Sequence, residues 1–191
     1  MGLKNRIRGF IKEDRPLKLK SYISSHDVDL DSLNFGRGQR ALHLCALYGS
    51  GEMLRCLLRL ECDAAAVDKD GNLPLHLALQ RALHGHQAEA ENLLHDLVRP
   101  LQQAYPLGQD VENRHCETGH DMLISLRHKI KMYNQSKEQQ RREAEKSSEE
   151  ENERWRRRLE EESLFEYAEQ LPRYSADDDD DHGVTLPQAI I

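Results

Sequence analysis

Aromatic residues are scarce in this chain. They make up 5% of its 191 residues, too few to furnish the packed inner faces of a large β-sandwich or barrel. Hydrophobic residues reach only 38% and charged residues 32%, so part of the chain has no core of its own. No stretch approaches 18 apolar residues, and no membrane span is expected. The basic segment Met1 to Phe10 lacks the apolar run of a signal peptide. The chain starts Met-Gly, but Arg6 stands where N-myristoylation needs Ser or Thr, which argues against lipidation. The four cysteines, Cys45, Cys56, Cys62 and Cys116, show no framework spacing and read as free thiols in a reducing compartment.

Catalytic signatures are missing too. There is no Gly-rich phosphate loop and no G-x-S-x-G elbow. His84-x-His86 and Cys116-x-x-x-His120 are the best local metal pairs, and neither has a second pair at zinc-finger spacing. Carboxylates crowd together only in a polar tail, where nothing shifts their titration toward catalysis. The sequence therefore assigns no catalytic, cofactor-binding or metal-binding residue, and an enzyme is not expected. The net charge is −7. From Tyr133 onward there are 9 Lys/Arg against 17 Asp/Glu, which places the acidity in the last third and leaves no domain with the positive excess of a dedicated nucleic-acid binder.

What is present is a repeat. Gly38-Gln39-Arg40-Ala41-Leu42-His43-Leu44-Cys45-Ala46 aligns with Gly71-Asn72-Leu73-Pro74-Leu75-His76-Leu77-Ala78-Leu79 at an offset of 33 residues. Gly71 follows Asp68-Lys69-Asp70 and suits a turn with positive φ. Pro74 suits the first position of a helix, where a missing N–H does no harm. Leu42, Cys45 and Ala46, like Leu75, Ala78 and Leu79, share a helical face. Gly49-Ser50-Gly51 ends the first helix, and Glu52 to Leu60 reads as its partner. Period and motif resemble the ankyrin repeat with its T-P-L-H-x-A signature. A weaker third unit begins at Asn113 to Gly119, with Cys116 where Gly is expected, Gly119 where Pro is, and about a dozen inserted residues before it. Leu17 to Ile23 and the residues after it read as a partial capping unit. Both clear repeats lack the initial Thr, Arg40 and Leu73 taking its place, which predicts less firmly held histidines at His43 and His76.

Beyond Met132 the character changes. Between Ser136 and Ser163, 18 of 28 residues are charged, and neither Gly nor Pro occurs, so a solvated helix is expected. Toward its end Trp155, Leu159, Leu164, Phe165, Ala168 and Leu171 recur at helical spacing. Such a stripe either packs back on the repeats or docks on a partner through its aromatic anchors. Arg154, Arg156, Arg157 and Arg158 flank the tryptophan and suit nuclear import or phosphate contacts. Asp177 to Asp181 reads as a solvated run. Ser147, Ser148 and Ser175 each precede an acid by three residues.

Taken together, the short array, the enlarged connection, the turn Asn113 to Gly119 and the Trp155-x-x-x-Leu159 helix resemble the divergent ankyrin-repeat proteins of the inhibitor-of-κB-like family. The resemblance covers roughly residues 16 to 171. It implies a nuclear regulator that restrains NF-κB-dependent signalling through protein contacts. It also implies further C-terminal segments that this chain lacks, which suggests a fragment, a short isoform or a truncated gene model. The expected architecture is all-α, a short ankyrin solenoid followed by a long charged helix and a disordered acidic tail. Its layout is a basic segment at residues 1–15, repeats at 16–132, a charged helical region at 133–174 and the tail at 175–191. Gly38, Leu42, His43, Gly71, Pro74, Leu75 and His76 are assigned to the repeat framework. Asp68, Lys69, Asp70, Asn72, Trp155, Leu159, Leu164 and Phe165 are assigned to partner binding. The partners are proteins of the NF-κB pathway or of nuclear complexes; no cofactor, membrane or specific nucleic-acid site is expected, and the chain is read as a monomer. The alternative is a nuclear scaffold of RNA-processing or other assemblies that acts through the Trp155 helix.

Overall fold

A computed structural model describes residues 2–170, with side chains through Ser163. The tail beyond Gln170, with Leu171, Ser175 and Asp177 to Asp181, lies outside the described residues, as do the side chains of Leu164, Phe165 and Ala168. Helices make up the structure: α1 (Leu3–Lys12), α2 (Pro16–His26), α3 (Ala41–Tyr48), α4 (Gly51–Arg59), α5 (Pro74–His84), α6 (Gln87–Leu93), α7 (Arg99–Ala104) and α8 (Gly119–Gln170). A π-helical turn, Leu94–Val98, joins α6 to α7, and a 3-10 turn follows at Pro106–Gln109. Among the described residues there is no strand, only an isolated antiparallel bridge between Glu112 and Thr118. The chain divides into two units between Glu138 and Gln139.

The first unit is built from helix pairs. The first helices α1, α3 and α5 pack side by side, and α2 and α4 pack on α1 and α3 and on each other. Ala41, Ala46, Ala78 and Ala82 are fully buried, which lets neighbouring helices approach closely. One continuous core runs from Ile7 and Ile11 through Leu42, Leu54, Leu57 and Leu79 to Met122, Leu123 and Leu126 at the start of α8. Helix α1, within the basic segment, therefore packs with the repeats. Ile7 and Ile11 lie four residues apart, on the same face of α1, and that face is buried. The polar side of α1 is tied in as well: Arg8 donates to the Phe35 carbonyl, and the Lys12 ammonium sits 4.5 Å above the Tyr48 ring.

Each helix end needs partners for its last carbonyls. Two of the first helices obtain them from the next first helix. Arg81 of α5 donates to the Ala46 and Gly49 carbonyls at 3.4 and 2.7 Å, closing the end of α3. Lys129 of α8 donates to the Ala82, Leu83 and Gly85 carbonyls at 3.3, 2.6 and 3.0 Å, closing the end of α5. In both cases a cation meets the negative end of a helix dipole, and the stack is stitched along one side.

The inserted residues lengthen the second helix of the middle unit. Pro100 offers no N–H to the Asp96 carbonyl and its ring crowds that oxygen. The turn before it widens to π-helical pairing, which accommodates both effects. The Asp96 carbonyl then faces α4 at Gly51, where an added Cβ would stand 3.1 Å from that oxygen and 2.9 Å from the Asp96 Cβ. Gly51 is thus a point of close helix approach.

The second unit, from Gln139 onward, contains the remainder of α8. Exposed i,i+4 pairs decorate it, Arg141 to Glu145 at 2.8 Å and Glu153 to Arg157 at 3.7 Å. Pairs of this kind contribute only a few tenths of a kcal/mol, about 0.3–0.5 each.

Candidate interaction surface

Three reverse turns link the helix pairs and share one construction. In each, a backbone N–H closes on a carbonyl four residues later: Phe35 to Gln39 at 2.9 Å, Asp68 to Asn72 at 3.0 Å, and Asn113 to Glu117 at 3.1 Å. Between them the chain passes through positive φ at Gly38 (76°), Gly71 (76°) and Cys116 (60°). Cys116 carries a Cβ in a conformation that costs a residue of its type about 1 kcal/mol. In the second and third turns a buried side chain holds the backbone. The Asp68 carboxylate accepts from the Asp70 and Asn72 N–H groups at 2.9 and 2.8 Å. The Asn113 carbonyl oxygen accepts from His115 and Glu117 at 2.9 and 3.1 Å.

The turns are also bonded to one another. Lys69 N–H donates to the Arg37 carbonyl at 2.9 Å, and Arg114 N–H donates to the Asp70 carbonyl at 3.0 Å. Asn113 Nδ2 donates to Asn72 Oδ1 at 3.1 Å, and the Arg37 guanidinium pairs with Asp70 at 2.8 Å.

His43 and His76 carry the link from turn to helix. His43 Nδ1 accepts from the Arg40 N–H at 3.1 Å, and its Nε2 donates to the Asn72 carbonyl of the next turn at 3.0 Å. His76 repeats this with the Leu73 N–H and the Val111 carbonyl, both at 3.0 Å. The partners set the tautomer, because a backbone N–H can only donate and a carbonyl can only accept. Burial pushes both imidazoles below their ordinary value of 6.5, against the opposing pull of the carbonyls they bond.

The family model for ankyrin repeats, in three copies, matches residues 12–103. That segment is an ankyrin array. Over 76 residues, 40% of this chain, it is 36% identical to a poly [ADP-ribose] polymerase tankyrase of Caenorhabditis elegans. The stretch is 3% of that protein, so its polymerase activity is not carried across. Ankyrin arrays are protein-interaction modules, and that is the level at which these similarities speak of function.

Gly38 and Gly71 take the positive φ, Pro74 opens α5, and Leu42, His43, Leu75 and His76 are buried. The missing Thr does not loosen the histidines: the backbone N–H of Arg40 or Leu73 fills the bond that a hydroxyl was expected to make. Thr118 does occupy the Thr position of the third unit, but Asp121 stands where the histidine would be. The two form a capping pair, with Asp121 N–H donating to Thr118 Oγ1 at 3.1 Å.

The four turn residues assigned to partner binding separate into two roles. Asp68 and Asn72 are 7% and 5% exposed, and their polar atoms are spent inside the turns. They build the turns that carry the surface and are themselves buried beneath it. Lys69 is exposed at the tip, and Asp70 is half-buried beside Arg37. Arg37, Val67, Arg114 and His115 are exposed on the same turns and escaped the sequence reading, which weighed only the best-matching turn. Lined up, the tips present Arg37, Lys69 and Arg114, one cation from each turn.

Trp155 and Leu159, four residues apart on α8, are 59% and 43% exposed. Among the described residues no cluster of His, Cys, Asp or Glu is arranged to hold a metal, and no helix is long and apolar enough to cross a membrane.

Proposed function

We propose that this chain is a regulatory interaction protein that restrains NF-κB-dependent signalling in the nucleus through contacts of its ankyrin turns. The observation that carries the interaction role is the cross-bonded row of turns, in which buried Asp68, Asn72 and Asn113 fix the backbone from which Lys69 and Arg114 project, with Arg37 paired to Asp70 beside them. A preorganised surface loses little conformational entropy on binding. The link to NF-κB is supported by the resemblance of Asn113 to Gly119 and of Trp155 to Leu159 to the inhibitor-of-κB-like family. The nuclear setting is supported by that resemblance and by the arginines around Trp155.

The test is direct binding of the full chain to a purified Rel-type dimer, followed by titration of Lys69→Glu and Arg114→Glu variants. Binding that weakens at least about tenfold with these reversals, at unchanged melting temperature, is expected. Absence of binding, or equal binding by wild type and variants, overturns the proposal.

The exposure of Trp155 supports a second reading, a nuclear scaffold recruited through α8 to RNA-processing or other assemblies. There Trp155→Ala abolishes recruitment while the turn reversals leave it intact.

A further inference from the structure

A groove of about 470 Å³ lies between α2 and α4, the second helices of the first two pairs. Its apolar side is formed by Pro16, Leu17, Cys56 and Leu60. Leu17 is 82% exposed, although it belongs to a helix whose next residue but one, Leu19, is fully buried. A single exposed leucine is ordinary. Here, however, it borders a concave site rather than open surface.

Charge distinguishes this groove further. Lys20, Arg55 and Arg59 line it against one acid, Glu52. None of the three cations forms an ion pair or hydrogen bond among the described residues. Arg55 and Arg59 are four apart on α4 and so project from one face. Cys56 reports on the same field: burial raises its thiol, while Lys20 and Arg59 pull it down. Three cations against one carboxylate around an apolar strip favour a ligand that brings negative charge and an aliphatic side chain together.

We propose that the groove between α2 and α4 docks an acidic, leucine-bearing segment of a partner protein. The leucine lies against Leu17 and Leu60, and flanking carboxylates meet Lys20, Arg55 and Arg59. This rests on the chain being an interaction module, but not on its turn tips, since no groove residue belongs to the three reverse turns that link the helix pairs.

The experiment uses the full chain and a short fluorescein-labelled Glu/Leu peptide, with Lys/Leu and Glu/Ser peptides as counterparts. Anisotropy reads affinity. Alkylation of Cys56, followed by mass spectrometry, reads location, with exposed Cys116 as the internal reference. The Glu/Leu peptide is expected to bind at least about tenfold more tightly than either counterpart and to lose at least about tenfold with Arg55→Glu plus Arg59→Glu. It should slow alkylation of Cys56 and leave Cys116 unchanged. Because the charge reversals alter α4, Lys20→Gln and Arg55→Gln serve as milder variants with graded losses at native melting temperature. Lys69→Glu should have no effect, which separates this groove from the turn surface. Equal binding of the Glu/Ser peptide, affinity unchanged in the α4 variants, no protection of Cys56, or no binding in the millimolar range would each overturn the proposal.

Discussion

His43 and His76 each accept at Nδ1 a bond that only the neutral ring can accept, and this gives the array a pH dependence of definite sign. Protonation would place a hydrogen on Nδ1, where a backbone N–H already points. In the unfolded chain these rings protonate near their ordinary 6.5; in the fold they do so only at lower pH. The unfolded state therefore binds more protons in that interval. The stability contributed by neutral burial is complete above about 6.5 and is lost as pH falls toward the depressed folded values. Urea midpoints measured from neutral pH downward should decline through this window; a flat profile would mean that the two rings are not buried as described. Asn72 offers a second test at this scale. Its side chain donates to Asp68 and accepts from Asn113, so Asn72→Ala removes both buried bonds and should cost about 1–3 kcal/mol by chemical denaturation. Lys69→Ala, at an exposed tip, should stay within about 0.5 kcal/mol. Thiol reactivity follows burial in the same way. Burial raises Cys45 and Cys62 to about 12, so alkylation of the native chain should reach exposed Cys116 first and these two only on unfolding.

Among the elements, α1 is the one whose role changes most when contacts are considered. If it belongs to the stack, Ile7→Ala and Ile11→Ala each remove a fully buried side chain and should cost about 2–5 kcal/mol, as should Leu57→Ala and Leu75→Ala. Wild-type melting of both isoleucine variants would mean that α1 does not share the core of the repeats. Why the sequence concealed this is physical. A short helix with four cations shows two isoleucines one turn apart, and that spacing becomes a core stripe only when α3 supplies the other side. The helices from α3 to α5 were legible because Gly71, Pro74 and the leucine spacing each specify local geometry by themselves. The widened turn at Leu94–Val98 was not, since it depends on Pro100 acting on a carbonyl four residues back and on Gly51 of another helix leaving room. The inter-repeat caps were equally hidden: Arg81 and Lys129 look like solvated charges until the ends of α3 and α5 are seen beneath them. For the surface, the sequence located the turn but not the direction of its side chains. Asp68 and Asn72 read as polar contacts, whereas a turn with positive φ needs acceptors folded inward to satisfy its own N–H groups.

At the scale of the whole molecule, the lone tryptophan reports on a different part of the chain from the repeats. Trp155 follows the Glu138–Gln139 division and is 59% exposed, whereas the cooperative core of buried leucines ends at Leu126. A cooperative transition reaches only groups that share packing with the melting core. Circular dichroism should therefore record loss of the ankyrin helices under denaturant while Trp155 emission stays nearly constant through the same midpoint. Iodide should quench the native tryptophan almost as readily as the denatured one. A partner that captures the Trp155–Leu159 face would reverse this behaviour, shifting emission to the blue and shielding it from iodide, because burial of an aromatic anchor removes water from the ring. The same measurement also separates the two functional readings. A partner held by the turns leaves the quenching unchanged, and one recruited through α8 suppresses it. Native emission already blue-shifted and protected in the isolated chain would show that Trp155 is packed within the molecule, and the scaffold reading would lose the exposed face on which it depends.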